Sequence, residues 1–217
     1  MKKLTAVVFV ALALACLAPL SGATVIGLKG GLNLANMTIK AEDPADLPDF
    51  KSQPGLVAGV FVSFDLGPVA IQPELLYSRR GMSFEVYKDA YETDTGRFIV
   101  NYLELPILLK YGFTKGSAKP FVCAGPSFGY RLQAWNGVDI DYVDPDDEDQ
   151  YYRQDFTKAI KKTDLAGVFG AGVDIKLPKV ILTLEGRYYL GLANINADLE
   201  VTSAKNKGLS VLVGLGF

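Results

Sequence analysis

The chain of 217 residues contains no histidine. That absence excludes Ser-His and Asp-His mechanisms, since no imidazole is available to carry a proton near neutral pH. Cysteine is nearly absent as well. Of the 2 cysteines, Cys16 lies in an N-terminal segment expected to be removed, so Cys123 has no partner for an intramolecular disulfide. Without histidine or a second cysteine there is no recognisable metal or redox site, and no cofactor is called for. Excess positive charge is missing too. The formal net charge is -2, and it becomes -4 when Lys2 and Lys3 leave with the leader, which argues against nucleic acid as a partner. Beyond the run from Leu4 to about Leu17, no stretch has the uninterrupted apolar length of a transmembrane helix.

The first residues, MKKLTAVVFVALALACLAPLSGAT, place two lysines before a short apolar run and small residues at Ser21 and Ala23. This is the pattern of an export signal, residues 1–23, with a mature domain over 24–217. An uncleaved anchor is the competing reading, but the run is short for it and ends in Pro19, Ser21 and Gly22. Ala13-Leu14-Ala15 before Cys16 only partly resembles a lipidation motif.

The mature chain favours sheet, with 22 glycines, 11 tyrosines and 12 phenylalanines. Alternating segments recur over roughly 24–36, 54–66, 69–86, 98–113, 120–135, 164–177, 180–195 and 208–217. Their length suits a tilted bilayer crossing of about 9–11 residues. Short connections at Gly67-Pro68, TKGSAK and Pro178-Lys179 alternate with long polar ones at Thr38 to Gln53, Tyr87 to Arg97, Asn136 to Thr163 and Asn196 to Lys207. The expected fold is therefore all-β: an eight-stranded antiparallel up-and-down transmembrane barrel, with short periplasmic turns and long extracellular loops.

The fourth segment, NYLELPILLKYGF, shows the sidedness. Leu103, Leu105, Ile107, Leu109, Tyr111 and Phe113 share one face; Tyr102, Glu104, Pro106, Leu108, Lys110 and Gly112 share the other. The seventh segment opposes Leu182, Leu184, Tyr188 and Leu190 to Thr183, Glu185, Arg187 and Tyr189. A membrane barrel turns the apolar face to lipid and fills its lumen with the other, so Glu74, Glu104, Lys110, Arg131, Asp174, Glu185 and Arg187 form a candidate lumen charge network, with Lys29 on the same face. A soluble exported barrel with a bound ligand is the rival, its charges facing solvent instead. Prolines 73, 106 and 126 cannot donate to a ladder and predict local breaks. Phe64, Tyr111, Phe113 and Phe217 are expected as one aromatic girdle, and Tyr77, Phe98, Tyr130 and Tyr188 as the other.

GLKGGLNLANM, QPELLYSRRGMSF, NYLELPILLKYGF, KPFVCAGPSFGYRL, GAGVDI and LEGRYYLGLANI together resemble the PorT-like outer-membrane β-barrel family typical of Bacteroidetes, over nearly the whole mature chain. The resemblance implies a fold and a bacterial outer-membrane location. A link to protein secretion, as an accessory component of an export machine, is what the family's founding member implies. Enzymatic barrels of the outer membrane resemble one another in using a catalytic histidine, which this chain lacks, so a non-enzymatic role is expected. A carboxylate pair such as Glu104 with Glu185 is the remaining acid-base option, against their reading as salt-bridge partners.

Partners follow from the same features. Outer-membrane lipid faces the apolar side, and GLSVLVGLGF, ending in Phe217, looks like a strand recognised by barrel-assembly machinery. The connection DIDYVDPDDEDQYYRQDF is the candidate surface interaction loop, with Asp141, Tyr142, Asp146, Asp147, Tyr151 and Tyr152 as contact residues for an envelope protein or a glycan. Its carboxylate spacing does not match an EF-hand, and a solvated surface loop is the plainer reading. A narrow pore is a further alternative, disfavoured by so charged a lumen.

Overall fold

The computed structural model describes residues 24–40, 50–89, 92–113, 116–139, 153–197 and 201–217. The leader and the six loop residues Asp141, Tyr142, Asp146, Asp147, Tyr151 and Tyr152 lie outside them. Nine strands occur in chain order: β1 Thr24–Lys40, β2 Lys51–Leu66, β3 Val69–Asp89, β4 Glu92–Gly112, β5 Ala118–Asp139, β6 Arg153–Asp155, β7 Thr163–Lys176, β8 Ile181–Gly191 and β9 Ser203–Gly216. Each long strand pairs antiparallel with its neighbours, β1 pairs with β9, and β5 pairs with β7 across the β6 excursion. The result is a closed eight-stranded up-and-down barrel. The three-residue β6 adds only to the upper end of β5, opposite Trp135, Asn136 and Gly137.

The faces divide as the alternation requires. On β1, Ile26, Leu28, Leu32 and Leu34 are 53–62 % exposed on the outside, while Lys29 and Asn33 are buried inside. Val211, Val213 and Leu215 continue the apolar belt on β9 beside them. Such a belt would be untenable in water and is the surface a hydrocarbon solvent demands. Gly67, with φ 87°, makes the tight turn between β2 and β3, where a side chain would be strained.

All three prolines interrupt ladders. Pairing of β2 with β3 lapses between Phe61↔Glu74 and Phe64↔Ile71, next to Pro73. It lapses between β3 and β4 from Pro73↔Ile107 to Leu76↔Glu104, at Pro106, and between β4 and β5 from Pro106↔Ser127 to Leu109↔Ala124, at Pro126. A cleft of about 150 Å³ opens there on the wall, lined by Val60, Val62, Phe64, Pro73, Leu75 and Leu105.

Two expectations need correction. The segment from Tyr87 to Arg97 is not a long loop, because β3 and β4 continue as a hairpin to the pair Asp89↔Glu92. Its run of Val86, Tyr87, Thr93 and Thr95 has the β-branched and aromatic character that sustains pairing. Phe98 is not a girdle residue. It is 6 % exposed and points inward, since it shares its alternation with Tyr102 and Glu104. The other proposed outer girdle residues, Tyr77, Tyr130 and Tyr188, are all at least partly exposed.

Candidate functional site

Inward side chains of β8 climb through successive layers of the lumen: Thr183, Glu185, Arg187 and Tyr189. At the short-turn end, Lys110 Nζ meets Asp174 Oδ2 at 2.7 Å, and Thr183 Oγ1 donates to Asp174 Oδ1 at 2.8 Å. Lys110 also lies 3.8 Å from the Phe121 ring centre.

The next layer holds four fully enclosed charges. Arg187 donates from Nη1 to Glu74 Oε2 at 2.6 Å, from Nη2 to Glu74 Oε1 at 2.7 Å, and from Nε to Glu185 Oε1 at 2.6 Å. Lys29 Nζ bridges the same two carboxylates, at 2.7 Å from Glu74 and 2.8 Å from Glu185. Two positive and two negative charges thus cancel within one cluster, which is the condition for burying them at all. Gln72 donates to Glu74 at 2.6 Å, and Cys123 Sγ donates to Glu185 at 3.2 Å. Cys123 is therefore a packed thiol inside the wall; in the folded barrel a maleimide should fail to label it, and labelling should appear only on unfolding.

Above this, Arg80 grips Glu104 with two of its nitrogens, Nε at 2.6 Å and Nη2 at 3.0 Å, and stacks 3.4 Å from the Tyr189 ring centre. Tyr189 Oη donates to Asp164 at 3.0 Å, and Asn206 Nδ2 donates to Asp164 at 2.8 Å and to Tyr102 Oη at 3.1 Å. The space left beside Arg80, Glu104 and Arg187 is about 20 Å³, room for little more than one water.

The seven sequence-selected charges therefore fall into separate groups. Glu74, Glu185 and Arg187 share one cluster, Lys110 and Asp174 form another, and Glu104 belongs with Arg80. Arg131 points inward and is buried, but joins none of them; its Nε and Nη1 have no partner among the described residues. Both oxygens of Glu104 are already taken by Arg80. Nor are Glu104 and Glu185 an acid-base pair, because each is held by its own arginine. Arg80 was legible: it falls on the face of Glu74 at period two, while Arg79 turns outward against Trp135.

Above the charged layers the lumen changes character. Val100, Tyr102, Ala134, Ile160, Ile195 and Ala204 are 0–1 % exposed and form an apolar floor. Over it stands a cavity of about 240 Å³ walled by Met37, Met82, Phe84, Phe98 and Phe156 among others. Phe156 is held by its amide on Ala134 O at 3.1 Å, and Thr157 Oγ1 is 3.1 Å from both N and O of Ala134. Asp155 accepts from the Thr157 amide at 2.7 Å, and hydrogen bonding first from the Thr157 side chain and then from this amide lowers its carboxyl below the usual range. Among the described residues, no group of three Cys, Asp or Glu is placed to hold a metal ion.

An apolar belt outside, a neutralised ionic lumen and a closed ladder define an integral β-barrel of the bacterial outer membrane. Residues 21–197 match the family described as outer membrane protein beta-barrel domain, and the chain belongs to that family. Similar solved structures include neisserial surface protein A, at 15 % identity and TM-score 0.46, covering 88 % of this chain and 97 % of that one. OprG from Pseudomonas aeruginosa is similar at 12 % identity and TM-score 0.46, covering 90 % and 97 %. Ail of Yersinia pestis, solved with the heparin analogue sucrose octasulfate, is similar at 11 % identity and TM-score 0.38, covering 89 % and 99 %. No curated protein matches the sequence.

Proposed function

We propose that this protein is a sealed, non-catalytic barrel that presents an interaction surface outside the cell. The observation that carries this reading is the lumen: three charged layers and an apolar floor fill it, so neither ions nor solutes have a path through. What the barrel offers instead is its upper end. There β3 continues ten residues past Arg79, at about 3.3 Å each, and the acidic, tyrosine-rich 140–152 connection leaves β5. An envelope protein or a glycan is the partner such a surface suits. Outer-membrane lipid surrounds the belt, and the strand ending in Phe217 is the handle for assembly machinery.

The sequence blocks around QPELLYSRRG and NYLELPILLKYGF support placing the chain with PorT-like members. A part in an export machine would then show as co-purification with other envelope proteins.

The test is conductance. Purified barrel in planar bilayers should give no steps above the bare-membrane baseline. Reproducible single-channel openings would replace the sealed reading with the pore.

A further inference from the structure

Three prolines stand on neighbouring strands of the wall, and the registers show what each withholds. Between Phe61↔Glu74 and Phe64↔Ile71 the missing pairs are Val62 with Pro73 and Ser63 with Gln72. Between Pro73↔Ile107 and Leu76↔Glu104 they are Glu74 with Pro106 and Leu75 with Leu105. Between Pro106↔Ser127 and Leu109↔Ala124 they are Ile107 with Pro126 and Leu108 with Gly125. Each seam thus loses the proline's own pair and one neighbour. In an antiparallel ladder a directly bonded pair exchanges two N–H···O=C bonds, and each bond also frames the pair beside it. Proline has no N–H, so one missing bond breaks both pairs, which is the pattern in all three seams. The carbonyls of Val62, Glu74 and Ile107 therefore face a nitrogen that cannot donate. Among the described residues, no side chain donates to them either.

These carbonyls lie at hydrocarbon depth, where Val60, Ile71 and Leu109 around them are 38–58 % exposed on the outer face. A backbone acceptor without a donor is costly there, because the bilayer core holds no water to replace it. The cleft of about 150 Å³ opens over the first two, since Val62 and Glu74 both line it. Glu74 offers it only backbone, its carboxylate being enclosed on the lumen side by Arg187 and Lys29. Every other lining residue, from Val60 on β2 to Leu105 on β4, is apolar. Leu105 is 4 % exposed, against 58 % for Leu109 on the same face, so the wall recedes there. The space matches the roughly 150 Å³ apolar cavity known to admit benzene. Both sides of each seam lie within described strands. A charged group would lose its water here and gain no counter-ion, whereas one uncharged donor would gain a hydrogen bond.

We infer that this cleft is a binding site on the lipid side of the barrel for an uncharged, membrane-dissolved molecule, whose apolar ring or chain fills the recess and whose hydroxyl donates to the carbonyl of Val62 or Glu74. It is entered from the bilayer, so it depends neither on the loops nor on the sealed lumen.

The experiment uses the full barrel in phosphatidylcholine nanodiscs, with 4-octylphenol and octylbenzene as probes that differ by one hydroxyl. Methyl signals of Val60, Val62, Leu75 and Leu105 should saturate at one 4-octylphenol per barrel, at about one-fifth of the octylbenzene concentration, the worth of one neutral hydrogen bond. Methyls of Leu32 and Val211, elsewhere on the belt, should drift without saturating. The carbonyl carbon of Val62 or Glu74 should move downfield with 4-octylphenol and stay in place with octylbenzene. Pro73→Val combined with Pro106→Val gives both carbonyls a ladder donor and should erase the preference. If that double variant does not fold, the carbonyl carbons decide alone. Equal affinity for the two probes overturns the inference, leaving a plain crevice that lipid chains or water already fill. So do cleft methyls that merely follow Leu32, a preference that survives the two substitutions, or a barrel that keeps residues 1–23 and binds neither probe.

Discussion

Replacing Arg187 with methionine should destabilise the folded barrel by about 3–5 kcal/mol, the cost of breaking a buried ion pair from one side. Arg187 supplies three of the short contacts to Glu74 and Glu185, and without it Lys29 alone faces two enclosed carboxylates. Urea unfolding in lipid vesicles, read as the loss of the fast-migrating folded band on unheated gels, measures the effect. Arg187→Met combined with Glu74→Gln should recover much of the loss, because the remaining Lys29 and Glu185 then balance. If the single variant is as stable as the parent, the cluster is not holding the lumen together.

A second large effect is expected from Leu32→Arg. Leu32 is 62 % exposed and paired with Leu56 on β2 and Val211 on β9, near the middle of the apolar belt. Arginine at the bilayer midplane costs about 2–4 kcal/mol in such barrels, whereas on a water-facing sheet it would cost almost nothing. Thr38→Arg, six residues higher on the same face, should be close to neutral. The contrast between the two positions maps the edge of the membrane on one strand.

Period-two alternation made the barrel, its strand number and its inside face legible, because lipid and lumen impose opposite demands on neighbouring residues. The charged layers were legible as a set from Glu74, Glu104, Lys110, Asp174, Glu185 and Arg187. Which charge meets which was not, since pairing depends on the relative height of strands, and that is fixed by registers such as Phe61↔Glu74 and Gly172↔Glu185. Arg131 shows the same limit: its inward direction follows from alternation, its separation from Glu104 only from three dimensions. The upper cavity escaped notice for a different reason. Met37, Phe84 and Phe98 lie at or just beyond the ends of the segments 24–36, 69–86 and 98–113, where Thr38, Tyr87 and Arg97 mark a loop when lipid exposure is the assumed test. Above the membrane the same alternation simply changes its meaning.

The most direct measurement of the central claim is trypsin treatment of intact cells, with a periplasmic protein followed as an integrity control. Arg153, Lys158, Lys161 and Lys162 stand at the loop end, and the lysines among them are solvent-exposed. Cleavage there, with the rest protected until detergent is added, is the predicted result for a barrel whose working end lies outside. Complete protection in cells, followed by release of intact soluble protein when the periplasm is opened, would contradict it.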